Sequence, residues 1–369
     1  MLIYYIPLLI LFYNSCRKYN NKVLKIILFF LMLFLCFGYM TGSDWRNYEL
    51  SYNEGNIHRL VEPGYMWLEK TCSDLGINFW IFHITLKCLC FLTTMKLFRI
   101  IFPSDKIIFF VLILWYASYG LFLYINCPFR NLIACGISAF AFMFFFKKKW
   151  FIYYIISTIA ILFHYSAIVL YILPFVRLEK ISSSFLVIFY ISIAIIIEVG
   201  GLNVLLSFFS TFIPSFILGR MDFYVDESMG SLLSIGLIPR LICLYFLIKH
   251  RNSIYTKYIY GNCIFNLAYI SLIFSLIYYI FPILFRSALF LGPFYVISIG
   301  IGLSQTFEKY RFRMKIFFIL MACAITFSTV RNLYYVPYTN ILKNCIQGNF
   351  YEYSYRDDYN FKYSPYKNN

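Results

Sequence analysis

Residues 106–149 read KIIFFVLILWYASYGLFLYINCPFRNLIACGISAFAFMFFFKKK. Two apolar runs, near 106–126 and 130–146, flank the turn Asn126, Cys127, Pro128, Phe129, Arg130, Asn131, and Lys147, Lys148 and Lys149 close the second run. A bilayer core takes about 20 mainly apolar residues per helix. The stretch therefore reads as a helical hairpin that crosses a membrane twice, with an arginine at one face and a lysine cluster at the other.

The rest of the chain repeats the pattern. Further spans are expected near 2–14, 23–41, 79–98, 150–174, 231–248, 258–280, 286–304 and 315–335. The stretch 184–218 fits two short spans broken at Gly200 and Gly201, or one span and an interfacial segment. Of 369 residues, 62% are hydrophobic and 13% charged, where soluble domains carry roughly 45–50% and about 25%. That excludes a water-soluble globule, a disordered chain and a collagen. A net charge of +16 invites a nucleic-acid reading, but the 32 Lys and Arg are scattered between apolar runs, not gathered on one stripe. No nucleic-acid partner is expected; the partner is the lipid bilayer. The first run has no positive charge ahead of it, and Arg17 and Lys18 follow it, the reverse of a secretory signal, so it is expected to stay as an anchor.

Cytoplasmic loops carry an excess of Lys and Arg. Five clusters can share that face: Arg17 to Lys25, Lys96 to Lys106, Lys147 to Lys149, Lys249 to Lys257, and Lys309 to Lys315. This requires an outside N-terminus and an even number of crossings between Lys149 and Lys249, which favours two spans within 184–218. The expected fold class is all-α, a polytopic integral membrane protein of about 12 transmembrane helices (range 10–12). It would comprise one domain over 1–335, with one sizeable outer loop near 42–78, and a Tyr-rich extracytoplasmic tail over 336–369, an interfacial flap or simply disordered and dispensable for folding.

That orientation puts Asp44, Glu49, Glu54, Glu62, Glu69 and Asp74 in the outer loop, so the chemistry is expected to face outward. Arginine is always charged, and its planar fork matches phosphate oxygens in pairs. Arg130, Arg240, Arg286 and Arg331 lie at outer or middle positions of spans, and with Arg46 and Arg220 they could line one outward cavity for a diphosphate. For each, a snorkelling anchor at the headgroups is the alternative. His164 lies in an apolar run; a neutral imidazole there could take a proton or hold a sugar hydroxyl, or simply bond a neighbouring helix. Gly42, Ser43, Asp44, Tyr48, Glu62 and Tyr65 offer the carboxylates and aromatic faces that a sugar site uses, or an ordinary interfacial loop with an aromatic belt. His58 and His250 read as surface residues. The 11 cysteines form no Cys-x-x-Cys pair, so no metal and no cofactor are expected.

The ordered set Gly42-Ser43-Asp44 with Tyr48, Glu62-Pro63-Gly64-Tyr65, Arg130, His164 with Ser166 and Ala167, and Tyr335-Val336-Pro337-Tyr338 resembles the EpsG-like branch of Wzy-type polysaccharide polymerases. It covers nearly the whole chain. One departure is that the family usually has Ile, Arg, Gln where this chain has Phe129, Arg130, Asn131. The resemblance implies a glycosyltransferase that joins oligosaccharide units carried on undecaprenyl diphosphate, outside the cytoplasmic membrane, for O-antigen, capsule or exopolysaccharide. Its partners would be that lipid-linked oligosaccharide and possibly a chain-length regulator and flippase of the same pathway. Arg130, His164 and Asp44 are the expected catalytic residues, His164 and Asp44 being alternative bases. Arg240, Arg286, Arg46, Glu62, Tyr48, Tyr65, Arg220 and Arg331 are expected to bind substrate. A flippase for the same lipid-linked units is the main alternative; it should show internal repeats, and none is visible. A membrane O-acyltransferase is a third, although its histidine would face the cytoplasmic acyl donor.

Overall fold

The computed structural model describes residues 1–55, 62–199, 237–278, 284–305 and 308–365, and the regular elements among them are helical. The all-α class expected from the sequence is the class the chain adopts. In chain order the first helices are α1 (Ile6–Ser15), α2 (Asn21–Cys36), α3 (Trp45–Glu54), α4 (Pro63–Asp74), α5 (Phe79–Ile101), α6 (Ile107–Trp115), α7 (Phe129–Phe146) and α8 (Trp150–Phe163). There follow α9 (Ser183–Glu198), α10 (Leu237–Lys249), α11 (Arg251–Lys257), α12 (Gly261–Ile277), α13 (Phe285–Ala288), α14 (Gly292–Gln305), α15 (Glu308–Val330), α16 (Ile341–Gln347) and α17 (Tyr353–Tyr363). Several starts are written in the sequence. Asn20, Asn78, Ser182 and Asn340 each accept a backbone N–H of the following turn, which satisfies donors that a helix cannot satisfy itself.

Among the described residues, α7 and Tyr310–Val330 are long and apolar enough to cross a membrane, by length and composition. The span expected near 79–98 is the 23-residue α5, which carries Lys87, Lys96 and Arg99, and several other expected spans are shorter, two of them for local reasons. The run 106–126 is α-helical only to Trp115 and continues as π-helical turns, Tyr116–Gly120 and Phe122–Asn126. The run 150–174 breaks at His164, whose extended backbone (φ −159°, ψ 119°) ends α8 and starts a 3-10 segment, Tyr165–Tyr171. Residues 200–236 lie outside the described residues, and with them the question of two spans in 184–218.

The chain forms two compact units, Met1–Ile168 with Phe307–Asn369, and Val169–Thr306. In the first, α6 is buried along its whole length, as an all-round hydrophobic helix must be, and α1 and α15 pack on it. The helices α7 and α8 form a close pair, with α5 on α7 and α4 on α8. The tail belongs to this unit. Tyr39 N–H donates to Thr339 O (3.0 Å) and Ile341 N–H to Phe37 O (2.9 Å), with the Tyr338 hydroxyl on Phe34 O (2.7 Å). In the second unit α12 packs on α14, and α10 on both. Its Arg251, assigned by sequence to a topological cluster, is buried, and its guanidinium donates to the carbonyls of Leu178 (2.7 Å), Glu179 (3.1 Å) and Ile181 (2.7 Å).

Candidate functional site

The segment expected as an outer loop, near 42–78, holds two helices, α3 and α4, and the beginning of α4 decides the site. Pro63 occupies the first turn, where its missing N–H costs nothing, and Glu62 precedes it as the N-cap. The Glu62 carboxylate does not cap its own helix. Gly64 lies so close to the end of α8 that a Cβ there would stand 2.9 Å from both the Cβ and the carbonyl oxygen of Leu162. That contact seats Glu62 beside His164, two residues past Leu162.

Glu62 is 5% exposed. Its Oε2 accepts from Arg130 Nη1 at 2.5 Å, and its Oε1 lies 3.8 Å from His164 Nδ1. Arg130 reaches it from the first turn of α7, which the left-handed Cys127 and then Pro128 initiate. The Arg130 amide donates to the Tyr48 hydroxyl at 3.4 Å, and Phe129 packs against the rings of Tyr48 and Tyr65. Burial pushes the Tyr48 phenol up, against the opposing Arg130 charge, and pushes the Tyr65 phenol well up. Both therefore stay neutral at physiological pH. Tyr65 donates to Glu69 Oε1 at 3.2 Å.

His164 Nδ1 accepts the Ser166 amide proton at 3.2 Å and lies 2.9 Å from the Ser166 hydroxyl. An atom that accepts an N–H presents a lone pair, so the neutral ring carries its proton on Nε2, a tautomer inferred from this geometry. The 3.8 Å separation from Glu62 exceeds a hydrogen bond. In this tautomer His164 presents its Nε2–H next to the Arg130–Glu62 pair.

Gly42-Ser43-Asp44 docks a few residues away. Gly42 takes a φ of +92°, and a Cβ on it would stand 2.0 Å from Ile125 O. Its amide donates to Tyr334 O at 2.7 Å. The Ser43 hydroxyl lies 2.6 Å from Asp44 Oδ1 and 2.9 Å from Asn126 Oδ1, one proton shared by two acceptors. Asp44 is within electrostatic reach of Tyr48. Arg46 donates to Gly42 O (3.0 Å) and to the buried Asn360 (2.6 Å), and lies over the Trp45 ring, tying the loop to the tail.

The structure thus brings together Glu62, Arg130, His164 and Tyr48, with Tyr65 and Asp44 adjoining. Arg331 is exposed at the end of α15. Arg240, over the ring of Tyr278, and Arg286, in α13, belong to the second unit. Arg220 and His58 lie outside the described residues. Asn131, where the family pattern has Gln, is buried and accepts from the Cys135 thiol (3.3 Å). Sequence reading missed the pair of Glu49 and Arg356, 2.7 Å apart; the two stand 307 positions apart, and nothing local signals it. Among the described residues, no three His, Cys, Asp or Glu side chains gather as a metal site would need.

The chain is an all-α protein in which a carboxylate, an arginine and a histidine meet at helix ends. The EpsG family model matches residues 21–340, and the chain belongs to that family. No curated protein and no solved structure gives a significant match.

Proposed function

We propose that this protein is a membrane glycosyltransferase of the exopolysaccharide-polymerase type, which transfers a growing glycan from undecaprenyl diphosphate to a hydroxyl of a second lipid-linked unit outside the cytoplasmic membrane. Residence in the bilayer is supported by composition and by the helix faces. On α8, Phe151, Ile155, Ile159 and Leu162 form an exposed stripe at helical spacing, and on α15 Phe312, Phe317 and Leu320 are likewise exposed. Water-soluble surfaces rarely carry such faces.

The observation that carries the catalytic reading is the buried Glu62 carboxylate shared between Arg130 and the neighbourhood of His164. A guanidinium positioned by a carboxylate, at the positive end of an 18-residue helix, is suited to a phosphate-bearing leaving group. The acceptor oxygen attacks the anomeric carbon as the bond to the diphosphate breaks, and the electron pair leaves with the phosphate oxygen. Arg130 stabilises that charge. The Nε2–H of His164 donates to the same oxygens or to a sugar hydroxyl, which leaves Asp44 to take the acceptor proton. Tyr48 supplies a sugar-facing wall with the buried Tyr65 packed behind it, and Arg46 and Arg331 border the site. Arg240, Arg286 and Arg220 remain proposed contacts to the lipid-linked substrate.

Complementation of a polymerase-null strain tests the roles. At equal protein levels, Asp44→Asn should abolish long chains, while His164→Gln, which keeps an N–H donor, should retain more activity than His164→Ala. Equal activity of Asp44→Asn and the parent would remove Asp44 as the base. A flippase would instead give a strain lacking surface units altogether, not one with single units.

A further inference from the structure

The helices α2 and α5 pack against each other, and between them lies a groove of about 640 Å³, within the range of about 300–1,000 Å³ typical of small-molecule sites. Two helical stripes build it. On α2, Lys25, Leu28, Phe29 and Met32 recur at intervals of three, one and three residues; on α5, Leu92, Met95, Lys96 and Arg99 do the same. Such spacing puts each set on one helix face. Each stripe is cationic at one end and apolar at the other. The cation opens the stripe on α2 and closes it on α5, so antiparallel packing gathers Lys25, Lys96 and Arg99 at a common mouth.

From Lys25 to Met32 the apolar wall extends about 10 Å along the helix. Its rim is open, since Phe29 is 52% and Leu92 54% exposed, and the two methionines give it an adaptable surface. No acidic residue is among the lining residues; the charge partner the groove offers Arg99 is neutral, Asn21 Oδ1 at 3.5 Å. Setting topology requires only that cations lie in a loop. Facing three of them into one mouth above an apolar wall is the complement of an amphiphile with an anionic head.

We propose that this groove binds an anionic phospholipid of the adjoining leaflet, its phosphate held by Lys25, Lys96 and Arg99 and an acyl chain laid along Phe29, Met32 and Leu92. The mouth lies at the Arg99 end of α5, some 20 residues and about 30 Å along the helix from the Asn78 cap beside the outer loop, so it is separate from the Glu62–Arg130 site. The inference rests on residence in the bilayer, not on the proposed reaction, and its test reads lipid binding without activity.

The full-length protein in detergent, supplied with equimolar phosphatidylglycerol and phosphatidylcholine, is examined by native mass spectrometry. The parent should retain phosphatidylglycerol in preference, and K25Q/K96Q/R99Q should lower that retention on the order of tenfold or more. Leu92→Trp, at an exposed position, fills the groove with the cations intact and should lower it as well. K147Q/K148Q/K149Q, an equal loss of charge at another cytoplasmic cluster, should leave it unchanged. Equal retention of phosphatidylcholine, unchanged retention in the groove variants, or an equal loss in the Lys147–Lys149 variant would each overturn the proposal.

Discussion

Two carboxylates of the 42–78 segment, Glu62 and Glu49, are each buried and each meet an arginine, yet their surroundings differ. Glu49 Oε1 accepts from both the Trp80 indole (3.2 Å) and Arg356 (2.7 Å), while its Oε2 has no partner among the described residues. Trp80 starts α5 and Arg356 lies in α17, so this pair ties the tail to the loop. Glu62 divides its oxygens between Arg130 and the side of His164, and the Arg130 side chain is 26% exposed against 13% for Arg356. An arginine that a carboxylate holds but that solvent still reaches can meet a substrate anion. Arg356, which also donates to the Tyr39 hydroxyl at 3.4 Å and is more enclosed, holds the fold. The same ion pair is proposed to serve chemistry in one place and architecture in the other because of what surrounds it.

The largest effect that separates the two pairs is expected at Arg130. Arg130→Ala should lower polymerisation by about 100-fold to 1,000-fold, the usual cost of losing one donor to developing charge, and Arg130→Lys should also fail because the fork is lost. Arg130→Ala also leaves the buried Glu62 carboxylate unpaired and should cost some stability, so activity is compared at equal protein level. Glu62→Gln should follow, with a loss of about 10-fold to 100-fold, since it weakens a charge-assisted hydrogen bond; glycan length in the complemented strain is the readout. Gly64→Ala should also reduce activity, because its Cβ meets Leu162 at 2.9 Å and must push Glu62 away from His164. If Gly64→Ala matches the parent in glycan length, the seating of Glu62 by α8 is wrong.

At Arg356 the loss should fall on stability alone. Arg356→Ala should keep the reaction but lower stability in detergent by about 3 kcal/mol, the cost of leaving a buried charge unpaired. The sign with pH follows from Glu49. Burial raises its carboxyl above the ordinary value, and Arg356 partly offsets this. A raised carboxyl contributes stability below the unfolded value and loses it as pH rises through the folded one. Removing Arg356 raises it further, so the penalty should be smallest in acid and grow toward neutral pH. Melting curves of parent and variant across that range would show it; a gap that widens in acid would contradict it.

Much of this could be read from the sequence, and the remainder was out of reach for identifiable reasons. Apolar runs of about 20 residues gave away the helices, and Arg130 and His164 stood out because a charged or polar side chain in or beside an apolar run is costly. The break at His164 did not show, since 165–175 is as apolar as the run before it; the amide of Ser166 bonding Nδ1 is a backbone event with only a His-x-Ser pattern as its trace. The π-helical turns after Trp115 likewise leave no compositional mark. Glu62 was legible as a sugar-binding acid, but its pairing with Arg130 depends on Gly64 docking against Leu162, a long-range contact. The tail, read as a flap or as disordered, holds a helix whose Arg356 and Asn360 find partners more than 300 positions away.

The central claim is that the Arg130 site joins lipid-linked sugars, and reconstitution tests it most directly. Purified protein in proteoliposomes, given undecaprenyl-diphosphate-linked repeat units, should produce a ladder of lengthening glycans and release the lipid diphosphate, while Arg130→Lys yields neither. A ladder from Arg130→Lys, or movement of intact substrate between leaflets without any ladder from the parent protein, would contradict the account.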